Sequence, residues 1–180
     1  MKAIILISEA SLPLAKTLQR ELPDTLIYTK NECEGCISIT SCHRFIEEHF
    51  NDFDSIIFIG AMGICVRSIA GCIKNKYKDP AVVCVDSTGR FVISVLSGHV
   101  GGANELTRHI AAITGGEAVI TTQSDNAGLW ALDTLAGKYG WKITVPHAKM
   151  NRLVTLFVNR EPTALLLDIK AVSYTHLRAH

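Results

Sequence analysis

Apolar residues occur along this chain in two alternating patterns, which predict strands and helices in turn. Continuous apolar runs are typical of strands buried on both faces of a sheet, and they predict strands at residues 3–7, 25–28, 55–59, 81–85, 90–95 and 117–121. Apolar residues three or four positions apart predict helices at residues 12–22, 42–50, 64–70, 106–113 and 130–139. The alternation favours an α/β fold with three layers and a mostly parallel sheet.

One pair of strands is predicted to be antiparallel. The turn signal Asp86-Ser87-Thr88-Gly89 joins strands 81–85 and 90–95 into a β-hairpin. Ligands of mostly parallel sheets bind beyond the carboxyl ends of the strands. Three loops follow predicted strands, and we expect residues 60–63, 97–102 and 121–125 to share one edge of the sheet.

The pattern also predicts the domain organisation. Residues 1–140 are expected to form an N-terminal α/β domain. Residues 141–170 begin a second, small α/β unit that is not completed, with a strand at 141–146, a helix near 150–158 and a strand at 163–168. Residues 171–180 break the pattern abruptly and are expected to be a non-native tail, so His176 and His180 are assigned to no site.

Composition narrows the class of protein. A formal net charge of +1 gives no argument for nucleic-acid or membrane-surface binding. No apolar run reaches the roughly 20 residues of a membrane span, and the first residues do not resemble a signal peptide. We therefore expect a cytoplasmic location and six reduced cysteines. Cys33-x-x-Cys36 with Cys42-His43 is either a metal or redox site or a cysteine-rich surface loop.

The candidate chemistry centres on a glycine-rich loop, LSGHVGGANEL, at residues 96–106. Glycines before a helix let the backbone turn sharply and direct free N–H groups at a ligand. His99 is either a structural histidine or a general base or acid, and it could also ligate a metal carried by the substrate. Ser97 is a helix N-cap or a hydrogen-bonding group for a ligand, and the same two roles apply to Asn104.

Further candidates lie in the other two loops and in a basic segment. Gly60 and Gly63 can bind an anion through backbone N–H groups, and Arg67 either points back to them or is a solvated charge. Lys76 is part of a solvated loop or binds carboxylates. Asp125 is a base, a group that orients His99 or a helix cap. The candidate binding residues are Gly60, Gly63, Arg67, Lys76, Ser97, Gly98, Gly101, Gly102, Asn104, Thr121 and Thr122.

Four of these segments together resemble the cobalamin biosynthesis protein G family. They are FIGAMGICVR at 58–67, KDPAVV at 78–83, LSGHVGGAN at 96–104 and VITT at 119–122. The resemblance implies a cobalt-precorrin-5A hydrolase of anaerobic cobalamin (vitamin B12) biosynthesis. Such an enzyme opens the δ-lactone on ring A and releases acetaldehyde to give cobalt-precorrin-5B. The family usually has a further C-terminal domain, so we expect this chain to be a fragment.

The resemblance also implies the ligand. The partner is a cobalt corrinoid, the cobalt belongs to the substrate, and no cofactor is expected; a homo-oligomer or a fusion to another enzyme of the pathway stays open. We expect His99 and Asp125 to be catalytic, with N–H groups near Gly101 and Gly102 binding the developing oxyanion. The alternatives are a non-catalytic corrinoid-binding fragment and an α/β domain that binds a phosphorylated metabolite.

Overall fold

The computed structural model describes residues 1–129, 131–133 and 135–162. Its strands are β1 (Lys2–Leu6), β2 (Thr25–Thr29), β3 (Ile37–Ser38), β4 (Ser55–Ile59), β5 (Ala81–Val85), β6 (Phe91–Leu96) and β7 (Glu117–Val119). Its helices are α1 (Leu12–Glu21), α2 (Cys42–His49), α3 (Met62–Ile69), α4 (Ala103–Thr114), α5 (Gln123–Asn126), α6 (Leu135–Lys138) and α7 (His147–Val158). Short 3₁₀ turns at Glu9–Ser11 and Phe50–Asp52 lead into α1 and out of α2.

The seven strands form one sheet in the order β3-β2-β1-β4-β5-β6-β7. All neighbours from β3 to β5 are parallel, β6 is antiparallel to β5, and β7 is parallel to β6. The predicted α/β class, the mostly parallel sheet and the hairpin are therefore confirmed. The hairpin closes through Asp86, whose carboxylate accepts hydrogen bonds from the N–H groups of Thr88 and Phe91.

Alternating side chains of the central strands build two separate cores. Ile4 and Leu6 of β1 pack in the core that includes α1 and α4. Ala3 and Ile5 of the same strand pack in the opposite core, which includes α2 and α3. The strands are thus buried on both faces, as their continuous apolar runs indicate, and the predicted three-layer arrangement is confirmed.

The reversal of β6 divides the loops between two edges of the sheet. We call the edge where β1, β2, β4 and β5 end the carboxyl edge, and the edge where they begin the amino edge. Gly60 lies at the carboxyl edge, where its N–H donates to Val85 O at 2.9 Å. Ser97 follows the antiparallel β6 and lies at the amino edge, where its Oγ donates to Asp79 O at 2.9 Å.

The prediction that three loops share one edge is therefore wrong. Loops 97–102 and 121–125 lie together at the amino edge, because β6 and β7 run parallel to each other. Loop 60–63 lies at the opposite edge. Carboxyl ends coincide only for strands that run in the same direction, and the hairpin reverses the direction of the last two strands.

The later elements differ more from the prediction. Within predicted helix 130–139, the described residues are helical only in α6, and Trp130 lies outside the description. Residues 141–146 form no strand and pair with none of the strands in the described part of the chain, so the strand expected there is wrong. The helix expected near 150–158 is confirmed as α7. The strand expected at 163–168 and the tail at 171–180 lie outside the described residues.

Backbone contacts divide the chain into Met1–Thr144 and Val145–His180. The first unit contains the whole sheet and six of the helices. In the second unit the described residues contain α7, whose amino end follows Pro146 and whose carboxyl end is Val158. The site described next belongs entirely to the first unit.

Candidate functional site

The loop that carries His99 is held in a single shape by its small residues. We call residues 97–102 the histidine loop. Ser97 is buried and adopts the left-handed conformation, with φ of 57°. A Cβ on Gly101 would lie 2.4 Å from Ser97 Cβ, so only glycine fits there. Gly102, with φ of 84°, precedes the first residue of α4. The glycines thus fold the loop tightly against β5 and start the helix.

His99 and Asp125 form the centre of the site. His99 Nε2 lies 2.6 Å from Asp125 Oδ2, and Ser124 Oγ lies 3.2 Å from the same nitrogen. The other ring nitrogen, Nδ1, lies 4.0 Å from Asp133 Oδ1. The His99 side chain is 22% exposed, which leaves the ring within reach of a ligand. The two candidate catalytic residues predicted from the sequence are therefore in contact.

The carboxylate of Asp125 is saturated with donors. Oδ2 accepts hydrogen bonds from Thr122 Oγ1 at 2.6 Å and from Asn104 Nδ2 at 3.0 Å, while Oδ1 accepts one from Arg108. Burial raises the pKa of Asp125, but hydrogen bonds from Thr122, His99 and Arg108 outweigh it and hold the pKa well below its usual range. An ionised carboxylate only accepts hydrogen bonds, so His99 Nε2 carries the proton that it shares with Asp125.

Of the roles open to Asp125, this geometry favours orientation of His99. All its hydrogen bonds come from protein groups, which leaves little of its acceptor capacity for a substrate. In the neutral ring, a proton on His99 Nε2 leaves the lone pair on Nδ1, so the base of this pair is the imidazole. The arrangement is that of a carboxylate that fixes the tautomer and direction of a histidine.

Asn104 links the strand, the loop and the helix. Its side chain is buried, its Oδ1 accepts from Ser94 Oγ at 2.7 Å, and its Nδ2 donates to Thr122 Oγ1 at 2.9 Å. A Cβ on Gly98 would lie 2.8 Å from Asn104 Oδ1. The Asn104 side chain therefore bonds to other protein groups, and it is neither the helix cap nor the ligand-facing group expected from the sequence. Gly98 lacks a side chain because Asn104 Oδ1 occupies the space that a Cβ would need.

Several residues of the site were not found from the sequence. Arg108 is one helical turn after Asn104 on α4, and this spacing of four was the available signal. Ser124 lies in the short helix α5, two residues after Thr122. Asp133 lies in a segment without a recognisable motif, yet its Oδ2 is 3.5 Å from Nζ of Lys76, a predicted binding residue.

One expected donor is not free. The Gly102 N–H donates to His99 O at 3.0 Å, so the prediction that it binds an oxyanion is wrong. The Gly101 N–H makes no hydrogen bond within the described part of the chain.

Thr121 is exposed beside the cluster at the amino edge. We call the joined residues the histidine cluster; its members are Ser94, His99, Asn104, Arg108, Thr122, Ser124 and Asp125.

Three predicted binding residues lie away from this cluster. Gly60 follows β4 at the carboxyl edge, and Gly63 and Arg67 belong to the next helix, α3. The Arg67 guanidinium folds back over Gly63, where a Cβ would be 3.3 Å from Nη1. A cleft of about 340 Å³ opens there, lined by Ile7, Lys30, Ser41, Cys42, His43, Ile64, Arg67 and Ser68. These residues do not contribute to the site around His99.

The cysteines differ from the expectation of six reduced thiols. Cys33 and Cys36 form a disulfide, for which their Cα separation of 5.4 Å is suitable. Cys42 is buried at the start of α2, and burial raises the pKa of its thiol. Among the described residues there is no group of three or more histidine, cysteine or acidic side chains placed to hold a metal ion. The arrangement therefore does not support the zinc alternative.

Known proteins match most of this chain. Residues 44–125 match the family described as cobalamin synthesis G N-terminal, and residues 130–179 match the cobalamin biosynthesis central region. The cobalt-precorrin-5A hydrolase of Salmonella typhimurium is 36% identical over 92% of this chain and 48% of its own length. That of Priestia megaterium is 33% identical over 97% of the chain and 48% of its own length. The chain thus spans about half the length of these curated relatives.

A solved structure agrees at the level of the fold. A cobalamin biosynthesis protein G homolog from Sulfolobus solfataricus superposes with a TM-score of 0.54 at 23% identity, covering 95% of this chain and 51% of the other. No helix in the described residues has the length and apolar character needed to cross a membrane. With two successive family regions matched along its length, the chain belongs to the cobalamin biosynthesis protein G family.

Proposed function

We propose that this chain is the part of a cobalt-precorrin-5A hydrolase that carries His99 and Asp125 as its hydrolytic pair. The observation that supports this most directly is the 2.6 Å contact between His99 Nε2 and the carboxylate of Asp125. The names of the relatives from Salmonella typhimurium and Priestia megaterium supply the substrate class. The reaction proposed is opening of the ring A δ-lactone followed by release of acetaldehyde, which gives cobalt-precorrin-5B.

His99 acts as the general base in this proposal. Asp125 accepts the Nε2 proton, so the lone pair of Nδ1 can take a proton from water as the water attacks the lactone carbonyl. The N–H of Gly101 lies in the same loop and makes no hydrogen bond among the described residues, so it is the proposed donor for the developing oxyanion. The protonated imidazole then returns its proton to the ring oxygen that leaves. Each step uses groups of the histidine loop and of Asp125.

The substrate brings its own metal and its own charge. We propose no resident cofactor, since the cobalt enters and leaves with the corrinoid. Acetate and propionate groups of a corrinoid need cationic partners, and Lys76 and Arg108 lie at the amino edge beside His99. Lys76 is 44% exposed and Arg108 is 43% exposed, so both have donors available to a ligand.

Acetaldehyde release from cobalt-precorrin-5A tests the proposal. We expect the chain to release acetaldehyde in step with loss of the lactone, with the Salmonella typhimurium relative as positive control. Corrinoid binding without turnover, in an assay where the relative is active, would instead identify the chain as a corrinoid-binding fragment. Absence of both binding and turnover would contradict the proposed function.

A further inference from the structure

We propose that Asp133 is a further catalytic residue: its buried Oδ1 and His99 Nδ1 together hold the water that attacks the substrate. This inference rests on the proposed function for the identity of the reaction. It assigns a role to a carboxylate outside the segments that carry the family resemblance. The water would lie between two protein acceptors at the amino edge, on the opposite side of the imidazole from Asp125.

Asp133 is unusual because one of its oxygens is buried without a partner. Its side chain is only 7% exposed, and Oδ1 has no hydrogen-bond donor among the described residues. The other oxygen, Oδ2, lies 3.5 Å from Lys76 Nζ. Leaving a buried acceptor unsatisfied costs about 1–3 kcal/mol, so such an atom in a native site calls for a bound partner.

The distance to His99 identifies that partner. Oδ1 lies 4.0 Å from His99 Nδ1, which is too long for a direct hydrogen bond. A single water can lie about 2.8 Å from both atoms. Both protein atoms are acceptors, because the His99 proton is on Nε2 and faces Asp125. The water therefore donates both of its protons to the protein.

A water held in this way is oriented as a nucleophile. With both protons directed at protein acceptors, its oxygen lone pairs point away from Asp133 and His99, towards a substrate at the exposed side of the ring. As the oxygen bonds to the lactone carbonyl carbon, His99 Nδ1 takes one proton and the carbonyl oxygen becomes an oxyanion. When the oxyanion collapses, the ring C–O bond breaks and the leaving oxygen takes the proton back from His99.

The charges around His99 are suited to His99 as the base and Asp133 as the group that holds the water. Asp125 and Ser124 face Nε2, and Asp133 faces Nδ1. Arg108 is held by Asp125 and Glu105, and Lys76 by Asp133. The imidazolium that forms after proton transfer thus lies between two carboxylates, which stabilises its charge. Asp133 keeps its hydrogen bond to the water while His99 receives the proton.

The first test compares Asp133 variants in the acetaldehyde assay. We expect D133N to lower kcat about 100-fold with KM changed less than threefold. The amide can present its N–H₂ group to the water in place of an acceptor oxygen, whereas the size and shape of the side chain that lines the substrate surface are unchanged. D133A should lose a similar factor and regain at least tenfold with added formate, which can refill the position of the carboxylate. D52N is the matched control, since Asp52 contacts His49 on the surface at 2.8 Å.

The second test does not depend on turnover. A high-resolution crystal structure of the chain should show a water within hydrogen-bond distance of both Asp133 Oδ1 and His99 Nδ1, and this water should be absent from D133L. Wild-type activity in D133N, or a closed contact between the two side chains without a water, would overturn the inference. An ordered water in a protein that does not turn over cobalt-precorrin-5A would support the water site and reject the proposed reaction.

Discussion

At the scale of single residues, Asp125 collects hydrogen bonds from four side chains that come from three parts of the chain. Thr122 is its near neighbour, Asn104 and Arg108 come from α4, and His99 comes from the histidine loop. Hydrogen bonds to an ionised group are each worth more than neutral ones. The carboxylate therefore both stabilises this edge of the fold and fixes the direction of the imidazole.

Replacing His99 tests whether its position is used for chemistry. We expect H99A to lower the rate of acetaldehyde release by about 100- to 10,000-fold, because that is the usual contribution of a general base. The fold should be retained with a modestly lower Tm, because H99A removes one of the four side chains that donate to Asp125. H109A is the control, because His109 lies exposed on α4, outside the histidine cluster. Equal rates for H99A and H109A would remove His99 from the mechanism.

Asp125 makes the stability of the fold depend on pH. Its pKa in the folded protein is below the value of about 4 for an unfolded aspartate. As pH falls, the unfolded chain takes up the proton first, so this contribution is complete at neutral pH and is lost under acidic conditions. We expect D125N to be less stable than wild type at pH 7, by about 1–3 kcal/mol.

Urea unfolding at two pH values measures this effect. The difference in free energy of unfolding between wild type and D125N should be largest near pH 7 and should shrink towards pH 3. D52N controls for the loss of a surface carboxylate, since Asp52 is 61% exposed. A difference that grows on acidification would show that the carboxylate is not held in its ionised form.

At the scale of elements, the histidine loop depends on where glycine is required. A methyl group on Gly101 would overlap Ser97, so we expect G101A to cost about 1–3 kcal/mol through overpacking. Because the loop must move to relieve the overlap, turnover should fall with stability. G71A is the matched control, since a Cβ there meets no atom within 4 Å. Urea unfolding and acetaldehyde release report the two effects; a G101A protein as stable and active as G71A would contradict this account of the loop.

The elements also show what sequence patterns can and cannot predict. The apolar runs located six strands; burial on both faces demands such runs in central strands such as β4 and β5, whereas β7 is largely exposed. β3 has only two residues, both exposed, and α5 only four, so neither produces a periodic signal. The contact between His99 and Asp125 could be predicted from the sequence, because each residue follows one of two parallel neighbouring strands, β6 and β7. The position of Asp133 could not be predicted, because the residues near it, His99 and Lys76, are distant along the chain.

At the scale of the sheet, the hairpin separates two groups of residues that the linear sequence suggests belong together. Five-residue strands place the two edges roughly 16 Å apart. The histidine cluster lies at the amino edge, and Arg67 lies with Lys30 beside the cleft at the carboxyl edge. Groups at the carboxyl edge therefore do not contact the bond on which His99 is proposed to act. The candidate binding residues thus fall into two groups, one at the amino edge and one at the carboxyl edge of the sheet, and their spacing along the sequence does not show this.

A pair of arginine variants tests this division. Arg108 donates to Asp125, so R108A should lower kcat at least tenfold by loosening the orientation of His99. Arg67 contacts no member of the histidine cluster among the described residues, so R67A should leave kcat and KM within twofold of wild type. Both changes remove one cation from an exposed helix position, so a difference between them reflects location and not net charge. If R67A reduced turnover as much as R108A, one substrate would have to engage both edges, and the separation of the two groups would have no functional meaning.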